Sequence, residues 1–273
     1  MNWKIFIVIH GPIENDYYLN DPKFSYDNFT LFNVSDNLIK HDKFEIINKS
    51  EIKDYIQLGK WYAEAEAIYN IFKNNLYQDY DYIGFIHWDY ELRSEDSLIN
   101  YNVVSAIEEV ISQDYSFISF STFDFSYAYN QHIMMDTAYP NQCYGEGKNC
   151  FETIVEEYND YFKKSVNVDY LITRKINLCS AFMCKKSVFQ DLMGFYCCII
   201  EEGNLNKFDT NHEYRFQGVM MERYIGCYSH QFNFADIPLF HHYQHKKEAT
   251  EIELKKEKIM KLLSRIKRKI IRK

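Results

Sequence analysis

The chain opens with a near-continuous apolar run, Lys4-Ile5-Phe6-Ile7-Val8-Ile9-His10, stopped by Gly11-Pro12. A run that is apolar on both faces and closed by a turn signal predicts a buried strand of parallel type. Tyr82-Ile83-Gly84-Phe85-Ile86-His87 reads the same way, and residues 117–120 make a shorter copy. Residues 44–48, 176–183 and 234–240 read as further strands. Helical spacing fills the intervals. In residues 59–74 the apolar positions Trp61, Ala65, Ile68 and Phe72 recur every three or four residues in an Ala-rich segment. Residues 96–112, 151–164, 186–200 and 213–228 also read as helices. Residues 13–57 are otherwise polar and mixed, and residues 123–150 are irregular and aromatic, which suits a loop that covers a substrate. Alternating strands and helices predict an α/β fold: a mostly parallel, Rossmann-type sheet flanked by helices. We expect one domain over residues 1–245 and a separate tail over residues 246–273.

Composition narrows the class. The 273 residues are 47% hydrophobic, enough for a sizeable core, and Gly (9) and Pro (4) are too scarce for a linker-rich chain. No stretch approaches the roughly 18 apolar residues of a spanning helix. The seven cysteines form no C-x-x-C pair, so a zinc site is disfavoured. With no secretory signal at the N-terminus, they are expected as free thiols in a reducing cytoplasm. The net charge of −8 is unevenly placed. Residues 246–273 hold 12 Lys/Arg against 4 Glu, while the rest hold 19 basic and 35 acidic residues, a body at −16. A body so acidic is a poor partner for nucleic acid.

Candidate chemistry gathers where strands end, because open α/β sheets bind ligands at the carboxyl ends of their strands. Asp89 and Glu91 follow the Tyr82–His87 strand. In an extended segment they point the same way, and beside a diphosphate they offer the hard oxygen ligands that Mg²⁺ or Mn²⁺ requires. The competing reading is a solvated loop with two surface acids. Three histidines, His241, His242 and His245, follow the last strand, and His241 or His242 is expected to complete the metal shell. His10, at the end of the first strand, is counted among the donor-binding candidates. Glu222 is either half of a structural pair with Arg223 or the general base that takes the acceptor's hydroxyl proton. Asp89 is the second catalytic candidate. Arg215 or Arg223 would grip a diphosphate with its planar fork.

Two longer stretches carry a resemblance. Tyr62-Ala63-Glu64-Ala65-Glu66-Ala67-Ile68-Tyr69-Asn70-Ile71-Phe72-Lys73-Asn74 and Asp81-Tyr82-Ile83-Gly84-Phe85-Ile86-His87-Trp88-Asp89-Tyr90-Glu91-Leu92 look like Y-x-E-x-T-A-x-Y-W-x-W-K-N followed by D-Y-I-G-L-x-H-Y-R-R-Y-F. Leu178 to Phe189 and Arg215 to Tyr224 look like N-M-F-I-M-K-K-x-I-F and R-x-x-G-F-L-x-E-R-L. Together they resemble a family of glycosyltransferase-like domains encoded in bacterial capsule and lipopolysaccharide gene clusters. The resemblance implies a GT-A-like nucleotide-sugar site, with Glu64, His87, Arg215, Glu222 and Arg223 as members. It departs where the family's two arginines are replaced by Asp89 and Tyr90. That exchange turns a cationic diphosphate grip into an anionic one suited to a divalent metal.

The tail differs in kind. Residues 255–273 carry ten Lys/Arg and one Glu, with Ile259, Leu263, Ile266 and Ile270 along one helical face. This is the pattern of a basic amphipathic helix lying on anionic lipid, each cation contributing about 1 kcal/mol there. The expectation is a cytoplasmic glycosyltransferase, peripheral on the inner face of the membrane, that uses Mn²⁺ or Mg²⁺. It would pass a sugar from a nucleotide-sugar donor to a growing glycan or lipid-linked acceptor. The alternatives are a non-catalytic scaffold of a polysaccharide assembly complex and a nucleotidyltransferase. The latter is disfavoured because only Gly11 stands where a phosphate loop would be.

Overall fold

The computed structural model describes residues 1–13, 26–59, 62–94, 103–126, 150–203, 205 and 216–241. Nearly all of them belong to one compact unit, Met1–Phe240; of a second unit, His241–Lys273, only His241 is described. The expected boundary at residue 245 therefore lies outside the described residues. Among those residues, no helix is long and apolar enough to cross a membrane.

Seven strands form the main sheet. These are β1 (Trp3–Ile9), β2 (Phe29–Asn33), β3 (Glu45–Asn48), β4 (Tyr82–His87), β6 (Phe117–Ser119), β9 (Phe182–Lys185) and β10 (Ala235–Asp236). Their spatial order is β10-β6-β9-β4-β1-β2-β3. The pairs β1–β2, β2–β3, β1–β4 and β6–β10 are parallel, and β9 runs antiparallel to both of its neighbours. Strand β5 (Tyr90–Ser94) lies outside this sheet, and β7 (Thr122–Asp124) pairs with β8 (Lys175–Asn177).

The pleat explains why β1 is apolar throughout. Phe6 and Val8 enter a core shared with helices α1 (Glu64–Lys73), α3 (Cys150–Phe162), the short α4 (Val168–Ile172), α5 (Lys186–Glu201) and α6 (Phe216–Ser229). Ile5, Ile7 and Ile9 enter the opposite core, which holds Ile107 and Ile111 of helix α2 (Val103–Ser112). With both faces covered, alternation of polar and apolar positions disappears. Each such side chain contributes about 1.5–3 kcal/mol by leaving water.

Three expectations are corrected. First, residues 176–183 are not one strand. Cys179 (φ 63°) and Ser180 (φ 48°) take the left-handed region after β8, and the chain turns into β9. The turn is a bulge and not a reversal: β8 and β9 run on in one direction, antiparallel to β7 and β6 in turn. Second, β2 forms from residues 29–33, which had looked merely mixed. Its residues are all buried, with Thr30 satisfied by the Glu45 carboxylate at 2.7 Å. Third, the helix predicted from residue 59 begins at Glu64. The Glu66 carboxylate accepts the N–H groups of Leu58 (2.9 Å) and Gly59 (2.8 Å), folding the preceding segment back onto the first turn. Ala63, at φ 49° and ψ −127°, makes the join.

Candidate functional site

The chain passes from β1 outward to β2 and β3, then crosses back through α1 to β4 on the other side of β1. The crevice at the carboxyl ends of β1 and β4 is therefore a topological switch point, the place where such sheets receive ligands. His10 follows the end of β1 and His87 ends β4. Glu64 is the first residue of α1, whose positive dipole end favours its negative charge.

These side chains converge. Glu64 Oε1 is 3.3 Å from His10 Nε2 and 3.8 Å from His87 Nδ1. His87 Nδ1 is 4.0 Å from Asp89 Oδ1. Glu222 reaches the same point from α6: one ligand atom each from Glu64, His87 and Glu222 lie within 4.8 Å of one another. The backbone explains how α6 comes so close. A Cβ at Gly226, one turn beyond Glu222, would stand 2.8 Å from the backbone oxygen of Asn177, so only glycine lets the helix settle against β8. Asn177 is fixed in turn. Its backbone N–H donates to Ser229 Oγ at 2.9 Å, and its side-chain amide donates to Ser119 Oγ (2.8 Å) and to the Ala181 carbonyl (2.6 Å).

Two further residues at this place carried no signal in the pattern. Tyr196, on α5, is fully buried, and its hydroxyl has no hydrogen-bond partner among the described residues. Burial pushes its phenol well above the ordinary range, and the charges of Glu222, Cys197 and Glu64 add to the rise. Cys179, in the left-handed turn, has its thiol pushed up to about 12, first by burial and then by Glu222. Its hydrogen bonds with Tyr90 and Ser121 act the other way. A thiol so protonated is no nucleophile. Tyr196 sits in an ordinary apolar helical pattern, which hid it. Cys179 lies inside the Leu178–Phe189 stretch that carried the resemblance, which was the available hint.

The remaining candidates divide. Asp89 is half-buried in a two-residue turn between β4 and β5, so it and Glu91 do not form the continuous extended pair expected of them. The side chains of Glu91 and His241 lie outside the described residues, as do Arg215, His242 and the tail. Arg223 departs from its expected role as a diphosphate grip. It is 1% exposed, with its guanidinium 5.4 Å over the Phe151 ring, and so stands in the packing of α6 against α3.

No family model matches the chain, and no curated protein matches it in sequence. Among solved structures it is similar to the apo form of the bifunctional glycosyltransferase WbbM. The two are 16% identical with a TM-score of 0.57, over 88% of this chain and 45% of that one. The chain thus spans less than half the length of WbbM. Looser likenesses, both at a TM-score of 0.37, are to two fungal enzymes. One is core-mannan synthase A of Aspergillus fumigatus in its Mn/GDP form, 8% identical over 83% of this chain and 71% of that one. The other is the mannosyltransferase Ktr4p of S. cerevisiae with GDP, 10% identical over 86% and 69%. The fold is GT-A-like: a mostly parallel central sheet flanked by helices, shared with WbbM.

Proposed function

We propose that this chain is a glycosyltransferase that moves a sugar from a nucleotide-sugar donor to a cell-surface glycan or lipid-linked acceptor, assisted by a divalent cation. The observation that carries the reading is the meeting of Glu64, His87, Asp89 and Glu222 at the β1/β4 switch point of a GT-A-like sheet. In this reading the donor lies across the ends of β1 and β4. Buried carboxylates there cannot face a diphosphate without a cation between them, because the like charges would repel in a poorly solvated site. When bound, a divalent cation supplies charge neutralisation to the departing diphosphate. Asp89 or Glu222 then accepts the proton of the attacking hydroxyl. Residues 255–273 hold the enzyme on anionic lipid at the cytoplasmic face, where a lipid-linked acceptor would be presented.

The experiment is a panel of nucleotide sugars with Mn²⁺, read by release of nucleoside diphosphate and by thermal shift. At least one donor should stabilise the chain and be turned over. Neither response from any donor would leave the fold without this activity and favour a scaffold. For the tail, co-sedimentation should be strong with anionic vesicles and weak with neutral ones. Equal binding to both would remove the membrane role.

A further inference from the structure

We infer that Glu64, His87 and Glu222 together form the seat of a Mn²⁺ ion, in place of the D-x-E pair after β4. The inference takes from the proposed function only the idea that a cation belongs in this crevice. Three observations support it. The donor set is two carboxylate oxygens and one imidazole nitrogen within 4.8 Å of one another. An octahedral ion with ligands at about 2.1 Å holds them roughly 3 to 4.2 Å apart, so the set needs only a slight closure. The chemistry of the set selects the ion: carboxylates suit Mg²⁺ and Mn²⁺, and an imidazole moves the preference towards the transition metal.

The second observation is independent of the cluster. The Tyr196 hydroxyl is fully buried, lacks a partner among the described residues, and lies within reach of the charges of Glu222 and Glu64. A buried hydroxyl left without a partner is destabilising. A water on the ion would accept or donate the missing hydrogen bond, as outer-shell partners of metal sites do. The third concerns His87, which is 7% exposed and whose Nε2 also finds no partner among the described residues. A metal-bound imidazole has one ring nitrogen on the ion and the other turned to a neighbour; here Nε2 is left for the ion while Nδ1 faces the Asp89 carboxylate at 4.0 Å.

The three ligands come from three elements: the first turn of α1, the end of β4, and the middle of α6. That distribution is why no local motif announces the site. With Glu222 on the ion, Asp89 remains as the carboxylate for the acceptor's proton.

The test uses the full chain with MnCl₂ and no donor, so it stands whether or not sugar transfer is found. Electron paramagnetic resonance of free Mn²⁺ should show one tight site per chain. Glu64→Gln and Glu222→Gln should each weaken it at least tenfold, whereas Asp89→Asn should change it less than threefold. Pulsed measurements on the wild type should show coupling to an imidazole nitrogen, lost in His87→Gln. The wild-type spectrum alone keeps the test alive should a variant fail to fold. No tight site, no nitrogen coupling, or affinity lost in Asp89→Asn but kept in Glu222→Gln would overturn the inference.

Discussion

Glu64 and Glu66 stand two residues apart in the first turn of α1 and are buried almost equally, at 5% and 6% exposure. Their surroundings differ. Glu66 is held by a fixed set of donors: the Leu58 and Gly59 N–H groups and the Tyr55 hydroxyl at 2.5 Å. Four residues on, Asn70 continues the same seam, accepting the Ile56 N–H at 2.7 Å and donating to the Ile56 carbonyl at 2.8 Å. Glu64 faces two histidines at longer distances and shares its space with the Glu222 carboxylate. A buried acid answered by short neutral donors is a structural fastener. A buried acid that meets titratable groups and a second acid keeps its charge available to something outside the chain. Burial alone does not separate the two roles; the nature of the partners does.

The sharpest way to break this distinction is Glu64→Gln, which keeps volume and removes charge. Donor turnover should fall about a thousandfold, on the order of 4 kcal/mol of lost transition-state stabilisation. The melting temperature should move by no more than about 3 °C, since glutamine keeps an oxygen that accepts hydrogen bonds in the same place. A stability loss larger than the activity loss would make Glu64 a second fastener.

Glu66→Ala should do the reverse. It strands the Leu58 and Gly59 N–H groups in a partly buried segment, at about 1–3 kcal/mol each. We expect roughly 3 kcal/mol of destabilisation and a fall of about 6–12 °C in melting temperature. The folded fraction should keep its turnover rate. Thermal unfolding followed by circular dichroism, with turnover measured well below the transition, checks both halves.

How much of this was legible in the sequence follows from where each feature is encoded. Strands β1 and β4 and helix α1 were readable because their apolar patterns are local. His87 and Glu64 were found through the motif text around them. Strand β2 was hidden because its polar members, Thr30 and Asn33, are satisfied by Glu45 and Asn48, each fifteen residues away. The break between β8 and β9 was hidden because two non-glycine residues, Cys179 and Ser180, adopt left-handed backbone that propensity argues against. Asp89 and Glu91 looked like a pair because spacing assumes an extended backbone, and the turn at Trp88–Asp89 breaks that assumption. The meeting of Glu222 with Glu64 depends on Gly226 letting α6 approach β8, a tertiary fact that no spacing rule expresses.

A smaller effect separates two buried tyrosines. The Tyr228 hydroxyl donates to Asp191 at 2.8 Å, while that of Tyr196 has no partner among the described residues. With metal chelated away, Tyr228→Phe should lose about 1 kcal/mol, and Tyr196→Phe should gain about as much by removing an unsatisfied group. Equal losses in the two variants would mean that Tyr196 is satisfied in solution, and the contrast between functional and structural groups would not extend to α5.

The smallest effect concerns one buried histidine, His230, and it carries the same distinction into pH. His230 closes α6 and donates from Nδ1 to the Cys227 carbonyl, with the rings of Tyr158 and Tyr170 edge-on to it and Arg174 nearby. Burial holds its pKa below the ordinary value of 6.5, and the positive charge of Arg174 acts in the same direction, against the opposing pull of the carbonyl bond. The unfolded chain therefore binds a proton on this ring at a higher pH than the folded one. Stability rises with pH wherever the unfolded state holds more protons. The contribution of neutral His230 is accordingly intact above about pH 6.5 and lost as pH falls from there towards the lower folded value. Melting temperatures between pH 7.5 and 5.5 should fall more steeply for the wild type than for His230→Gln, while turnover measured at pH 7.5 should be the same for both. Parallel melting curves would show that His230 is as readily charged in the folded chain as outside it. The fastening role assigned to that end of α6 would then fail, although Glu222, two turns earlier on the same helix, would keep its place at the site.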